Sequence, residues 1–401
     1  MTRRDTLKIL GLLGIRAAFP GKLMADQPVQ QPPPKDPAMA AATAAFGCDL
    51  FAKLRAKAGN LFFSPLSIET ALAMTSAGAR GETLAEMKNV LHLPSGGQAA
   101  AGELLRYLQR DPSAKYELSI ANALWMQQGL SFRAEFLTET HRHYEATLHS
   151  VDFLQPEQAR RTINHWVEEQ TKDKIKELFG PGSLSKDGTL VLTNAIYFKG
   201  KWEHPFDKNA TKVEPFHVTD DKTTQAPLMR RRSSYRYFAN EVVQAVDLPY
   251  AGNRLSMLVI LPAAPDAEKD VNAANLRDWV AKLAVKPGEV LLPRFKVTDE
   301  FELSETLKAM GIKRAFSASA DFSGMCAEPT MISKVVHKAY VDTNEEGSEA
   351  AAATGVAMVR ASMPLKQEPF TFRADRPFLF VIRDTATNTP LFVGRIANPV
   401  T

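Results

Sequence analysis

Glu345-Glu-Gly-Ser-Glu-Ala-Ala-Ala-Ala-Thr-Gly-Val-Ala-Met-Val-Arg360 is unlike the rest of this 401-residue chain. From Ala350 to Val359 it holds neither charge nor proline. Gly355 and the β-branched Thr354, Val356 and Val359 weaken it as a helix. At a period of two, Ser348, Ala350, Ala352, Thr354, Val356 and Met358 share one uncharged face. Glu349, Ala351, Ala353, Gly355 and Ala357 share the other, which carries a single charge. This is a strand with one buriable side, made of side chains small enough to slide between two existing strands. A permanent interior strand favours larger β-branched and aromatic residues. An alanine-rich linker or frayed helix is the competing reading. Pro364, Gln367, Glu368 and Pro369 follow, so the chain leaves the segment as an exposed loop.

The surrounding sequence mixes helical and strand patterns. Helical spacing occurs over 40–57, where Phe46, Leu50 and Leu54 share a face, and again over 82–91, 134–147, 160–179, 272–284 and 302–310. Ser64-Pro65 reads as an N-cap followed by proline at the first helical position, opening a helix over 66–77 that Gly78 stops. The nearly continuous apolar run 189–198 predicts a central strand covered on both faces. Further strands are expected over 255–261, 290–297, 332–341, 378–382 and 391–396. Helices and strands do not alternate steadily, which predicts an α+β fold with large mixed sheets rather than a barrel or doubly wound fold.

Apolar residues make up 45% and charged residues 23%, which excludes a mainly disordered or fibrous chain. The net charge of +4 is local: residues 1–25 carry five Lys/Arg and one Asp, and the remainder balances 44 basic against 44 acidic residues. No nucleic-acid partner and no membrane span are expected. Arg3-Arg4 before the apolar run 9–15 gives residues 1–25 the pattern of a twin-arginine-like export signal. The protein is therefore expected outside the cytoplasm, periplasmic or extracellular. Residues 26–37 form a Pro/Gln-rich linker, with four prolines among positions 32–37. One folded domain is expected over 38–401. Cys48 and Cys326 are too few for a disulfide framework and are read as unpaired thiols.

Catalytic motifs are missing. The chain has no G-x-S-x-G, H-E-x-x-H, P-loop or G-x-G-x-x-G. Ser183-Leu-Ser-Lys186 matches S-x-x-K without its companion motifs, and His141 and His143 lie in a polar helix without further metal ligands nearby. No cofactor, metal or catalytic residue is expected. Arg230-Arg231-Arg232 with Arg236 is the one dense basic run, read as a solvated strand edge rather than a polyanion site.

Several longer stretches, in order, carry a resemblance. Asn60-Leu-Phe-Phe-Ser-Pro-Leu-Ser67, Gly78-Ala-Arg-Gly-Glu-Thr83, Thr193-Asn-Ala-Ile-Tyr-Phe-Lys-Gly-Lys-Trp202, His337-Lys-Ala-Tyr-Val-Asp-Thr-Asn-Glu-Glu-Gly347, Phe372-Arg-Ala-Asp-Arg-Pro-Phe-Leu-Phe-Val-Ile382 and Leu391-Phe-Val-Gly-Arg-Ile-Ala-Asn-Pro399 are similar to motifs of the serpins. The resemblance covers nearly all of 38–401. It implies three β-sheets, eight or nine helices and an exposed reactive-centre loop on a metastable fold.

The resemblance also implies a function. A serpin inhibits serine, or cysteine, proteases once and is not an enzyme. The protease cleaves the loop, forms an acyl-enzyme and is trapped as the loop enters the main sheet as a new strand. Glu345, Gly347, Ser348, Ala350, Ala351, Ala352, Ala353 and Thr354 match the hinge that inserts. Ser64, Ser67, Asn194 and His337 match a polar cluster, the shutter, that gates the sheet, and Trp202 matches the breach where the loop enters. Counting from Gly347 puts the bait bond at Ala361-Ser362, for an elastase- or subtilisin-like target. A loop one residue shorter puts it at Arg360-Ala361, for a trypsin-like one. A monomer is expected, with loop-sheet polymers as its hazard. A non-inhibitory member with a binding or chaperone-like role is the alternative.

Overall fold

Ser64 is extended, and its hydroxyl accepts the Ser67 N–H at 3.1 Å, so the expected cap opens α2 (Pro65–Ser76). All twelve residues of this helix are buried. Its polar members survive there because Thr70 and Thr75 donate to the carbonyls of Leu66 and Ala71, at 2.6 and 2.8 Å. A helix covered on every side lies at the centre of a core.

The computed structural model describes residues 33, 37–109, 115–144, 147–348 and 368–400. Around α2 the elements run α1 (Ala38–Leu54), β1 (Leu61–Phe63), α2, α3 (Gly81–Val90), α4 (Gly97–Gln109), β2 (Tyr116–Gln127), α5 (Ala134–Tyr144), β3 (Thr147–Val151) and α6 (Pro156–Gln170). There follow β4 (Leu190–Lys201), β5 (Lys212–Thr219), β6 (Lys222–Ala239), β7 (Val243–Pro249), β8 (Leu255–Pro262), α7 (Ala273–Lys282), β9 (Ala284–Pro293), β10 (Phe295–Glu302) and α8 (Ser304–Met310). The chain closes with β11 (Ile332–Asn344), β12 (Gly347–Ser348), β13 (Phe370–Arg373), β14 (Phe378–Asp384) and β15 (Pro390–Ile396). The export and linker segments fall outside the described residues except for positions 33 and 37.

The fold is α+β, with eight α-helices among the described residues. The three sheets of the resemblance are met as two hydrogen-bonded networks. One has the order β1-β15-β14-β8-β7-β6-β9-β13, with β5 also on β6. The 18-residue β6 fuses what would be two sheets, because it pairs with β5 over 222–228, with β9 over 228–237 and with β7 over 236–239. The other network has the order β10-β11-β12-β4-β2-β3, and β11 also pairs directly with β4.

The continuous apolar run became β4, central as expected, antiparallel to β2 and parallel to β11. Its two faces serve two cores. Leu190, Leu192, Ile196 and Phe198 join the main cluster around α2. Val191, Ala195 and Tyr197 face the second cluster, where Ala159, Ile163 and Val167 of α6 cover the sheet.

Several boundaries differ from expectation. The helix expected over 160–179 begins at Pro156 and ends at Gln170, because Lys172 and Asp173 adopt positive φ and Thr171 bonds its own backbone surroundings. The single strand expected over 290–297 is two, β9 and β10, lying in different sheets. The arginine run has a strand on one side only, because β5 pairs with β6 up to Leu228 and β7 pairs with it from Arg236. It lies in β6, bonded to β9 along 228–237, where Glu289 pairs with Arg230 and Arg232 at 3.7 and 3.0 Å. Cys48 and Cys326 are free, and burial followed by the Asp49 charge pushes the Cys48 thiol up to about 12.

Candidate functional site

The six-stranded sheet is split at one end. Residues 332–340 of β11 pair in parallel with 190–197 of β4. Beyond them Gly347 and Ser348 lie between the two strands, antiparallel to both: Ser348 opposite Thr343 and Gly200, Gly347 opposite Asn344 and Lys201. Gly347 sits at φ 148°, and a Cβ there would meet the Gly200 carbonyl oxygen at 2.1 Å. Only glycine fits this approach. Ser348 is fully buried, its Oγ 2.8 Å from Tyr250 Oη and 3.3 Å from Thr343 Oγ1.

Side chains from distant segments hold this junction. Trp202 donates its indole N–H to Asn344 O and its backbone N–H to Glu346 O, both at 2.9 Å, and stacks on Tyr250 at 4.6 Å. Glu345 is 2% exposed. Arg294 donates its Nε–H at 2.8 Å to the Glu345 carboxylate, and Thr211 donates its hydroxyl at 2.5 Å. Burial opposes the Glu345 charge, but the Arg294 and Thr211 hydrogen bonds prevail and hold its carboxyl below the usual range.

Lower down, the strand register aligns His337 with Asn194 and Asn194 with Asn122, a row across β11, β4 and β2. The N-terminus of α2 closes it. Ser64 N–H donates to His337 Nε2 at 3.1 Å, and Ser64 Oγ donates to Leu391 O at 2.6 Å. Asn194 Nδ2 donates to Ser67 Oγ at 2.5 Å, and Ser67 Oγ donates to Asn122 Oδ1 at 3.1 Å. Because His337 Nε2 accepts, its proton sits on Nδ1 and is donated to Asn194 Oδ1. Full burial drives the imidazole down to about 3, so it is neutral at ordinary pH. The row ties the two strands that border the split. Separating them breaks the His337–Asn194 bond and leaves buried polar groups without partners, about 1–3 kcal/mol each.

The family model described as Serpin (serine protease inhibitor) matches residues 41–399. The chain is a serpin. Leukocyte elastase inhibitor of Bos taurus is 41% identical to it over 382 residues, spanning 90% of this chain and 99% of that one. The solved structure of human thyroxine-binding globulin is similar at TM-score 0.83 and 30% identity, covering 90% of this serpin and 99% of the globulin. Serpin48 of the insect Tenebrio molitor follows at TM-score 0.82 and 30% identity, covering 91% and 99%.

In this serpin the expected residues fall into two groups. Ser64, Ser67, Asn194 and His337 form one bonded cluster. Glu345, Gly347, Ser348 and Trp202 meet at the split. Ala350, Ala351, Ala352, Ala353, Thr354, Arg360, Ala361 and Ser362 lie outside the described residues. Sequence reasoning missed Asn122, Tyr250, Arg294 and Thr211. Asn122 had a signal, a lone polar residue among Ile120, Ala121, Ala123 and Leu124. The other three had none, since only the topology brings them to the split. Ser183-Leu-Ser-Lys186 lies in a loop before β4, and His143 meets Glu139 at 3.1 Å on α5.

Proposed function

We propose that this serpin inhibits serine proteases by a single-use mechanism. The protease cleaves the loop within 360–362, and residues about 348–359 enter between β11 and β4 before the acyl-enzyme is hydrolysed. The observation that carries this reading is β12, since Gly347 and Ser348 already lie between those strands, antiparallel to each. In the same register, Ala350 would face Phe198 and Val341, Ala352 would face Ile196 and Ala339, and Thr354 would face Asn194 and His337. The uncharged face of the segment then points into the core around α2. Its other face, with Glu349, turns to the opposite side of the sheet.

Insertion exchanges one parallel ladder for two antiparallel ones, which are slightly stronger per residue. The small side chains from Ala350 to Ala353 keep the steric cost of entry low. The name of the cattle relative supports an elastase-like target, for which Ala361 would precede the cut. Arg360 in that position would select a trypsin-like protease. The leader pattern of 1–25 supports export, with 26–37 as a tether to a domain over 38–401.

The test is incubation with trypsin, elastase, chymotrypsin and subtilisin, followed by a denaturing gel. A band at the summed mass that survives boiling supports trapping, and the mass of the released C-terminal peptide identifies the bait bond. Clean cleavage without such a band, and without a gain in heat stability of the cut protein, would favour a non-inhibitory binding role.

A further inference from the structure

Residues 349–367 join β12 to β13 and carry the proposed bait bond, and the ion pairs beside those two strands share one polarity. At β12, Glu345 and Glu346 pair with Arg294 and Lys208. Beside β13 a ladder of pairs runs across one face of the sheet. Arg373 meets Glu214 at 2.7 Å, and Glu214 stands 3.7 Å from Arg230. Arg230 stands 3.7 Å from Glu289, which meets Arg232 at 3.0 Å. In each of these pairs the cation is the more exposed partner. The Arg232 side chain is 82% exposed against 18% for Glu289, and Lys208 is 58% exposed against 18% for Glu346.

The polarity reverses where β4 and β11 begin. Glu157 accepts the Gly182 N–H ahead of β4 and is 49% exposed, against 14% for its partner Arg160. On α3, Glu82 is 70% exposed against 43% for Arg314, and on α8 Glu305 likewise stands outside Lys308. Beyond residue 25 the sequence is balanced in charge, so the fold makes this arrangement. Carboxylates lie inside and cations outside at the end where residues 349–367 depart.

The inner carboxylates fix the arginines without using all their donors. Arg232 uses its Nε–H on Glu289, and among the described residues nothing accepts from its Nη1 or Nη2. A guanidinium offers five N–H donors in a planar fork that matches a carboxylate. Val285, Pro287 and Glu289 share the outward face of β9, and Val285 is among the exposed large apolar side chains. Arginines beside an apolar contact suit a protein interface. A long polyanion fits less well, because Glu214 and Glu289 alternate with the arginines. The distance is also suitable. From Ser362 to Phe370 is eight residues, at most roughly 28 Å of extended chain. A protease of about 240 residues is roughly 45 Å across, so an enzyme holding the bait bond can touch the face beside β13.

We propose that the face of β6, β9 and β13 carrying Arg230, Arg232 and Arg373 is a docking surface for the target protease, and that this protease bears carboxylates beside its active site, on the side that receives the residues after the cut. This rests on the bait-loop reading above. It adds surface charge to the pocket preference for residue 360 or 361 as a determinant of the target.

The probe is subtilisin, native and after succinylation of its lysines, which replaces surface ammonium groups by carboxylates. The rate of attack on the full chain is read as release of the C-terminal peptide, which counts cut and trapped molecules alike. At about 50 mM salt the succinylated enzyme should attack about fivefold faster than the native one, and at about 500 mM that advantage should vanish. Arg232→Glu should remove the advantage, and Arg232→Gln should remove about half of it. Arg161→Glu makes the same charge change on the exposed face of α6 and should leave the advantage intact. Thermal unfolding verifies that the variants fold. Equal rates for the two enzymes at low salt would overturn the proposal, as would an equal loss in Arg161→Glu, which marks net charge alone. Retention on heparin that depends on Arg232, without an effect of protease charge, would assign the face to a polyanion and overturn it too. An intact charge effect without a boiling-resistant complex would instead count against trapping and leave the docking surface standing.

Discussion

On the proposed mechanism, replacing Ala352 by arginine should give a protease substrate in place of an inhibitor. In the register fixed by Ser348 opposite Gly200 and Thr343, position 352 falls opposite Ile196 and Ala339, both fully buried. The side chain would point into the apolar core around α2, with no acidic group aligned to meet it. Burying an unpaired cation costs several kcal/mol even after relaxation, here taken as about 4 kcal/mol. If that cost is felt as the strand enters, insertion slows by roughly a thousandfold. Deacylation then wins, and the protease is released active. Glu349→Arg is the control, because position 349 falls opposite Lys199 and Asp342, both only partly buried. The assay is a titration of protease with each variant, reading the boiling-resistant complex and the cleaved loop on the same gel. Ala352→Arg should give quantitative cleavage and almost no complex, while Glu349→Arg should trap like wild type. Equal complex from Ala352→Arg and wild type would refute insertion in this register.

Other expectations follow from the same geometry. Glu345→Gln weakens the bonds from Arg294 and Thr211, and should destabilise the junction by about 1.5–3 kcal/mol, read as faster loop proteolysis and polymer formation on mild heating. Gly347→Ala forces a Cβ against Gly200 O and should expel β12 from the sheet, giving slower trapping and exposure of the hinge to hydrogen exchange. His337 is neutral in the fold down to about 3 but titrates near 6.5 when unfolded, so its contribution is present above 6.5 and is lost as pH falls through that window. The loss is at most about 1.4 kcal/mol per pH unit, and denaturant midpoints of His337→Gln should show a correspondingly shallower fall. Glu69, fully buried, has its carboxyl raised by desolvation against an opposing Thr43 hydrogen bond, so it stabilises the fold only below its unfolded titration and costs stability as pH rises. Glu69→Gln should therefore raise the melting temperature at neutral pH and lose that advantage in acid.

The main features of this serpin were legible where local chemistry dictates structure. Ser64-Pro65 specifies its helix start through a cap bond three residues away. The run around Thr193 is apolar on both faces, and it became the strand covered on both faces. Boundaries were less legible where side chains redirect the backbone. Thr171 ends α6 by bonding Val167 O and Ile175 N–H, which no periodicity reveals. The arginine run was legible as a solvated edge, and Arg232 is 82% exposed, but nothing in the sequence revealed Glu289 on the neighbouring β9, which pairs with Arg230 and Arg232.

By itself, then, the sequence determined the mixed α+β class, the cap of α2, the central strand and the small-residue segment with one uncharged face. These follow from backbone propensity and from side-chain periodicity, which act over a few residues. Only the tertiary structure decided what that segment begins to do. Register between β4, β11 and β12 sets Gly347 against Gly200, joins His337 to Asn194 and Asn122, and brings Arg294, Thr211 and Tyr250 to the split. Those partners are tens to hundreds of residues apart, and chain spacing carries no information about which of them a pleated sheet will align.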